Sequence, residues 1–255
     1  MAKVGLLRLD RKELLQRSRF ARLSSFTYEL VRSCRGLGVG LWEFGPIINN
    51  YGEWAQSIKT GLTPIELGVP WIVYSSRDFL RDFLRPDDIV FEYGAGGSTI
   101  FFAGLGLHGI SIEHDASWAK VVESELARSC PNAIWEVKVI PPNSTKADAQ
   151  RKFRSNNPAY RDHSFVDYVR AIESFPKGHF SVVAIDGRAR NACIEIAADY
   201  VAPGGILLVD NSDRQAYWPE INKLKAHGWQ SRNFNGPLPA VAAFSRTTIL
   251  RRPLK

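Results

Sequence analysis

The chain has 255 residues, 45% of them hydrophobic and 23% charged, with a formal net charge of +7. That length supports one large α/β domain with a well-buried core, and the balance is ordinary for a globular protein. No apolar run approaches the eighteen or so residues of a membrane span, no h-region with a cleavage site opens the chain, and Cys34, Cys130 and Cys193 lack metal-ligand spacing, so we expect a cytoplasmic protein with reduced thiols.

The positive charge gathers at the start. Residues 1–35 carry Lys3, Arg8, Arg11, Lys12, Arg17, Arg19, Arg22, Arg32 and Arg35 against only Asp10, Glu13 and Glu29. Residues 10–35 read as one helix, because Phe20, Leu23, Thr27, Leu30, Val31 and Cys34 recur at three- and four-residue steps and Gly36, Gly38 and Gly40 then end the pattern. The stripe is expected to pack on the main domain or on a second copy in a homo-oligomer. The basic faces offer an alternative, attachment at the periphery of an anionic membrane surface. One charged helix without a recognised motif gives no reason to expect nucleic acid as a partner. Residues 41–75 are rich in aromatics (Trp42, Phe44, Tyr51, Trp54, Trp71, Tyr74) broken by prolines and glycines. They read as irregular structure or short helices over the mouth of a sheet, lining a substrate pocket or burying a cap. Residues 1–75 thus form an expected arm and cap, and 76–255 the main domain.

From residue 76 the pattern is regular. A helix at 76–84 and the turn Arg85-Pro86-Asp87-Asp88 lead to a strand at 89–93 and a helix from about Ser98. A strand at 109–113, a helix at 116–129 and a strand at 134–139 follow. A long polar segment runs from Pro141 to about His163. Then come a helix at 165–174, a strand at 180–185 and a helix at 190–200. Pro203-Gly204-Gly205 turns the chain into a strand at 206–209, before a helix at 216–227 and strands near 229–234 and 246–251. Alternation of this kind predicts a doubly wound, mostly parallel α/β sheet of Rossmann-like type with an antiparallel C-terminal strand.

The chemistry concentrates in Ile89-Val90-Phe91-Glu92-Tyr93-Gly94-Ala95-Gly96-Gly97-Ser98-Thr99. An apolar strand runs into an acid and then a glycine turn, the ligand-binding turn of a doubly wound sheet. A dinucleotide would set its anionic pyrophosphate there, and Glu92 works against that. Glu92 suits a cationic ligand such as S-adenosylmethionine, with its ammonium and sulfonium. Glu113, at the end of the second strand, stands where this fold places an acid for ribose hydroxyls.

Glu92-Tyr93-Gly94-Ala95-Gly96 followed by Glu113 resembles the first two motifs of class I S-adenosylmethionine-dependent methyltransferases. The likeness continues through Asp186 after the fourth strand and Pro203-Gly204-Gly205 before the fifth, over roughly residues 76–252. Phe91–Thr99, Ile112-Glu113-His114-Asp115 and Asp186-Gly187-Arg188-Ala189-Arg190 resemble bacterial methyltransferases of small molecules. The resemblance implies a methyltransferase with S-adenosylmethionine as cofactor and a small-molecule acceptor. Gly94 and Gly96 would pass under the methionine part, with Tyr93, Ala95, Ser98 and Thr99 beside them. Glu92 would sit near the ammonium, Glu113 would hold the ribose, and His114, Asp115 and Trp118 would flank the adenosine; Trp118 reads equally as helix-to-sheet packing.

Asp186, Asp210 and Asn211 stand at the carboxyl ends of the fourth and fifth strands. Catechol-type O-methyltransferases hold magnesium with an Asp and an Asp-Asn pair at similar places, so the resemblance implies a Mg2+ site and an oxygen acceptor. Gly187-Arg188-Ala189-Arg190 departs from that pattern, which has a lysine after the first Asp. The competing reading has Asp210 and Asn211 capping the next turn and helix. Asp186 and Asp210 are the candidate catalytic residues, Asp186 as acceptor contact or base, with His163 second in the role of base. Arg188 and Arg190 could receive an acidic substrate group or pair with surface carboxylates. Two other functions fit the sheet: a nicotinamide-dependent oxidoreductase, against which Glu92 and the missing third glycine (Thr99) count, and a non-catalytic protein whose arm serves assembly or the membrane.

Overall fold

The computed structural model describes residues 10–144, 151–155 and 157–254. Lys3 and Arg8 of the basic arm therefore lie outside the described residues.

The chain starts with helices α1 (Arg11–Arg17), α2 (Arg19–Gly36), α3 (Leu41–Asn49), α4 (Tyr51–Thr60) and α5 (Tyr74–Phe83). Strand β1 (Ile89–Tyr93), α6 (Gly97–Gly104), β2 (His108–Glu113), α7 (Ala116–Ser129) and β3 (Trp135–Val139) follow. After the polar segment come α8 (Val166–Arg170), β4 (Phe180–Ile185), α9 (Arg190–Ala197), β5 (Val201–Val209), α10 (Trp218–Ala226), β6 (Gln230–Pro237) and β7 (Phe244–Arg251). In this numbering the seven strands lie in the order 3-2-1-4-5-7-6. Neighbours from β3 to β5 pair in parallel, and β7 runs antiparallel to both β5 and β6. The doubly wound sheet with one antiparallel C-terminal strand is as the alternation predicted.

The strands buried on both faces are near-continuous apolar runs, as parallel strands between helical layers must be. On one side Phe91, Tyr93, Phe165, Tyr168, Phe180 and Ile194 form the larger core; on the other, Val90, Leu80, Phe102, Leu107 and Leu208 form a second. The order reverses between β1 and β4, so the crevice at their carboxyl ends is the topological switch point. The glycine-turn candidates and Asp186 stand there, and Glu113, His114, Asp115, Asp210 and Asn211 stand at the ends of β2 and β5.

Three expectations are corrected. The predicted strand start at Ile206 lies inside β5, which takes in Pro203-Gly204-Gly205: Phe180 pairs with Val201 and Val182 with Ile206, so the proline–glycine triplet is a bulge and not a turn. The single N-terminal helix breaks at Ser18, whose hydroxyl accepts from Ala21 N and starts α2. Buried Arg22 donates to the Leu15 and Gln16 carbonyls at 2.7 and 2.9 Å and so closes the end of α1. The third concerns the face of α2. It buries Arg22, Phe26, Glu29 and Ser33, while Phe20 is 79% exposed and Leu23 and Val31 about half exposed. Leu30 and Cys34 pack at the margin of the contact.

The aromatic region forms α3 and α4, and most of it is packing. Phe26, Tyr51, Trp54 and Phe244 meet ring to ring at 5.0–6.0 Å, and Trp54 Nε1 donates to the Val241 carbonyl at 2.8 Å. The cap therefore sits on the β6–β7 side of the sheet. Trp42 and Trp71 are the exceptions, both strongly exposed. No described helix is long and apolar enough to cross a membrane.

Candidate active site

The glycine turn is built by close approach of two strand ends. Gly94 has φ +95°, a region L side chains rarely adopt, and a Cβ there would lie 2.9 Å from the Gly187 backbone. A Cβ on Gly187 would in turn collide with the Tyr168 hydroxyl. The Asp186 amide donates to the Tyr93 carbonyl at 3.0 Å, so the ends of β1 and β4 are locked together. Ile65 packs with Ala95, Ile100 and Val122, bringing the segment before α5 onto the outside of the turn.

Glu92 is fully buried beneath this turn. Its Oε2 accepts from Thr99 Oγ1 and from Ser111 Oγ, each at 2.6 Å. Thr99 Oγ1 accepts from Gly96 N at 3.0 Å, and Ser111 Oγ accepts from Trp135 Nε1 at 2.9 Å. A chain of hydrogen bonds thus runs from β3 to the apex of the turn, with Glu92 at its centre. Burial pushes the Glu92 carboxyl up to about 7, against the hydroxyls of Ser111, Ser98 and Thr99 that pull it down. Among the described residues no donor, the nearby Ser98 hydroxyl included, reaches Glu92 Oε1 with hydrogen-bond geometry. A buried carboxylate oxygen left without a donor is costly, and a cationic ligand over the turn would satisfy it.

Glu113 ends β2 with Oε1 accepting from the His114 and Asp115 amides at 2.7 and 2.9 Å and Oε2 from the Ala95 amide at 3.2 Å. It ties the β2 end to the glycine turn, and Oε2 keeps room for a second donor. Asp115 caps α7 through the Ser117 and Trp118 amides. Trp118 is 39% exposed and donates from Nε1 to the Ala95 carbonyl at 2.8 Å, so its indole stands on the rim of the turn and not in the helix-to-sheet core. His114 Nε2 lies 3.0 Å from the Tyr160 hydroxyl and accepts from Arg188 Nε at 3.3 Å.

Two of the residues expected at the cofactor present no side chain to the surface of the turn. The Tyr93 side chain points into the core, where its hydroxyl donates to the Val169 carbonyl at 2.7 Å, so only its backbone borders the turn. Thr99 is fully buried, with its hydroxyl committed to Glu92 and Gly96. Ser98 is partly accessible at the start of α6.

The carboxyl ends of β4 and β5 hold a guanidinium. Arg190 Nη2 donates to Asp186 Oδ1 and to the Asp186 carbonyl, both at 2.6 Å. Nη1 donates to the Asp210 carbonyl at 2.7 Å and reaches Asn211 Oδ1 at 3.4 Å. Asp210 is buried behind it, with Oδ1 accepting from Thr247 Oγ1 at 2.9 Å. Burial, and then the nearby Asp186 carboxylate, push Asp210 up to about 8. Asn211 adopts φ +51°, the left-handed conformation it tolerates well. Among the described residues no group of three His, Cys, Asp or Glu side chains is arranged to hold a metal. The expected magnesium ligands Asp186, Asp210 and Asn211 do come together, but around Arg190, and they do not fit a divalent cation. Asp210, expected as catalytic, has no open path to an acceptor. Asp186 does: its side chain is 30% exposed, and its second carboxylate oxygen carries no hydrogen bond to a described residue. His163 sits on a short hairpin, paired with Ser144, with its ring centroid 6.1 Å from that of Tyr160.

Sequence reasoning missed the seating of Arg190, the Ser111 and Thr247 hydroxyls and the His114–Tyr160–Arg188 group. Arg190 was visible as a basic residue near Asp186, but its turn inward depends on Ala189, which takes φ +47° before α9. Ser111 and Thr247 are small polar residues in apolar strands, a signal readable only once their neighbours across the sheet are known.

No family model matches the chain, and neither does any curated protein. Among solved structures it is similar to an O-methyltransferase from Bacillus cereus, solved in complex with SAH, at a TM-score of 0.51 and 12% identity over 91% of this chain and 99% of that one. It is also similar to a methyltransferase-like protein from Silicibacter pomeroyi, at a TM-score of 0.44 and 25% identity over 71% and 88% of the two chains. The fold is that of the class I S-adenosylmethionine-dependent methyltransferases.

Proposed function

We propose that the protein transfers a methyl group from S-adenosylmethionine to a small-molecule acceptor. The observation that carries this reading is Glu92: a buried carboxylate with one unpaired oxygen under a glycine turn at the switch point of the sheet. That arrangement repels a pyrophosphate and suits an ammonium. Glu92 would hold the cofactor's amino group, Glu113 Oε2 a ribose hydroxyl, and Trp118 and His114 the two sides of the adenosine. S-adenosylmethionine supplies a methyl on a positively charged sulfur, which an aligned nucleophile displaces in line.

The chain's own contribution is alignment and proton handling. Asp186 is anchored through Oδ1 by Arg190, so its other oxygen is held toward the acceptor side. There it accepts the hydrogen of the acceptor's nucleophilic group, orienting the lone pair toward the methyl. Arg190 supplies fixed positive charge where related sheets can hold a metal, so no step here depends on magnesium. The argument from a metal triad to an oxygen acceptor loses its ground with that exchange, and the acceptor atom is left to the acceptor-side chemistry. A thermal-shift comparison tests the donor: stabilisation by S-adenosylmethionine and S-adenosylhomocysteine and none by NAD is expected, and the reverse would favour a nicotinamide-dependent oxidoreductase.

A further inference from the structure

Beside the β4 end opens a cleft of about 1120 Å³. Its walls come from residues 152–155 and 157–161 of the polar segment, residues 187–195 and residues 214–220. It shares Gly187 and Arg190 with the site already described, and Gly187 directly follows Asp186 in the chain. The lining carries six basic side chains, Lys152, Arg154, Arg161, Arg188, Arg190 and Arg214, against two acidic ones, Glu195 and Glu220.

The internal pairing leaves most of that charge unused. Lys152 reaches Glu195 at 3.4 Å, and Arg190 is committed to Asp186. Glu220 pairs with Lys223. Arg154, Arg161, Arg188 and Arg214 have no carboxylate partner among the described residues. Arg188 is also pre-positioned: its guanidinium lies over the Tyr160 ring at 5.3 Å while Nε donates to His114. Its two terminal nitrogens carry no hydrogen bond to a described residue and remain for a ligand. Surface arginines ordinarily find acids; four without one, facing a single concavity, make a field that concentrates anions. Arginine is also the side chain whose planar fork matches phosphate and carboxylate oxygens.

We propose that this cleft binds the methyl acceptor through an anionic group, a phosphoryl or carboxylate carried by a small molecule, with Arg188 as its central contact and Arg154, Arg161 and Arg214 completing the charge. The inference rests on the methyltransferase reading for the word acceptor, but the anion site stands or falls separately. The cleft accounts for specificity that neither the glycine turn nor the aromatic cap supplies.

Calorimetry on the full chain tests it with two probes, inorganic pyrophosphate and S-adenosylmethionine, titrated separately. Wild-type protein is expected to bind pyrophosphate, with an affinity that falls as salt rises. Arg188→Gln should weaken this about tenfold, the scale of one lost charge-assisted contact, and Arg188→Lys should restore only part of it. The double variant Arg154→Gln/Arg161→Gln, at exposed positions that leave the fold intact, should weaken pyrophosphate at least as much and leave S-adenosylmethionine affinity within about twofold. No pyrophosphate binding, or binding unchanged in both variants, overturns the anion site even where S-adenosylmethionine binds normally. Pyrophosphate binding of the expected pattern with no S-adenosylmethionine binding keeps the anion site and defeats the methyltransferase reading. A single-stranded RNA oligonucleotide that binds far more tightly than pyrophosphate, and loses that affinity in the same variants, overturns the small-molecule assignment.

Discussion

Arg190 Nη2 donates to Asp186 Oδ1 at 2.6 Å, while Nη1 of the same guanidinium donates to the Asp210 carbonyl at 2.7 Å. One side chain four residues beyond Asp186 thus fills the space between the ends of β4 and β5. This contact decides what the strand ends can do. A delocalised organic cation stands among the oxygens, and Asp186 is held with one oxygen tied and one free.

Chelation is therefore expected to change nothing. EDTA should leave the melting temperature and the S-adenosylmethionine affinity as they were, and added magnesium should not raise either. A magnesium-dependent gain in affinity or turnover would show that Arg190 yields its place.

Removing the guanidinium should cost more than a surface pair would. Arg190 is 10% exposed at its side chain and Asp186 30%, so Arg190→Ala leaves a half-buried carboxylate and the three backbone carbonyls of Asp186, Gly187 and Asp210 without their donor. The expected loss is about 2–3 kcal/mol in denaturant unfolding, below the full value for a wholly buried pair because solvent reaches Asp186. Arg17→Ala, which breaks an exposed pair with Glu13 on α1, should stay under about 0.5 kcal/mol.

The pH dependence follows from Glu92. Its folded pKa, about 7, is above the 4.5 of the free side chain, so the fold favours the protonated form. Stability from this group is complete below about 4.5 and is lost as pH rises through about 7, a span worth about 3 kcal/mol. Glu92→Gln should flatten that slope. Cofactor binding has the opposite sign, since the ammonium needs the ionised carboxylate. Affinity for S-adenosylmethionine should tighten between pH 6 and 8, approaching tenfold per pH unit below 7, and Glu92→Gln should remove the trend.

Much of the frame was readable in the sequence. β1 and β4 fall on the predicted residues because each is a mostly apolar run closed by an acid and a glycine, a pattern with one good solution. The docking face of α2 is not the one its apolar spacing predicts. Phe20, Leu23, Thr27 and Val31 do share a helical face, but the contact with the domain is made by Phe26 on another, and buried Arg22 and Glu29 occupy core-facing positions that periodicity scores as polar. Those two survive burial because Arg22 caps α1 and Glu29 pairs with Arg32. Pro203-Gly204-Gly205 reads as a turn from local chemistry and becomes a bulge because β4 pairs with the chain on both sides of it. At the site, Glu92, Gly94 and Glu113 were visible from spacing; Arg190 was not, since its role depends on three segments that meet only in the fold.

The two faces of α2 differ enough to test directly. Phe26 is 4% exposed among Tyr51, Trp54 and Phe244, so Phe26→Ala should cost about 3–5 kcal/mol. Phe20→Ala should fall within about 0.5 kcal/mol of wild type. Equal losses at the two positions would mean that α2 docks by its other face.

The glycine turn makes its own demand. Gly94→Ala places a methyl against the Gly187 backbone at a positive φ, and neither strand end can move without opening the Asp186–Tyr93 hydrogen bond. A loss of about 2 kcal/mol or more is expected, together with loss of cofactor binding.

The central claim is that Glu92 and the turn above it receive a cationic adenosyl cofactor. Isothermal titration of S-adenosylmethionine into wild-type protein and Glu92→Gln at pH 8 tests it most directly. Saturable one-to-one binding to wild type, severely weakened in the folded variant, is the predicted result. No binding to wild type at millimolar cofactor, or equal binding to both proteins, would contradict it.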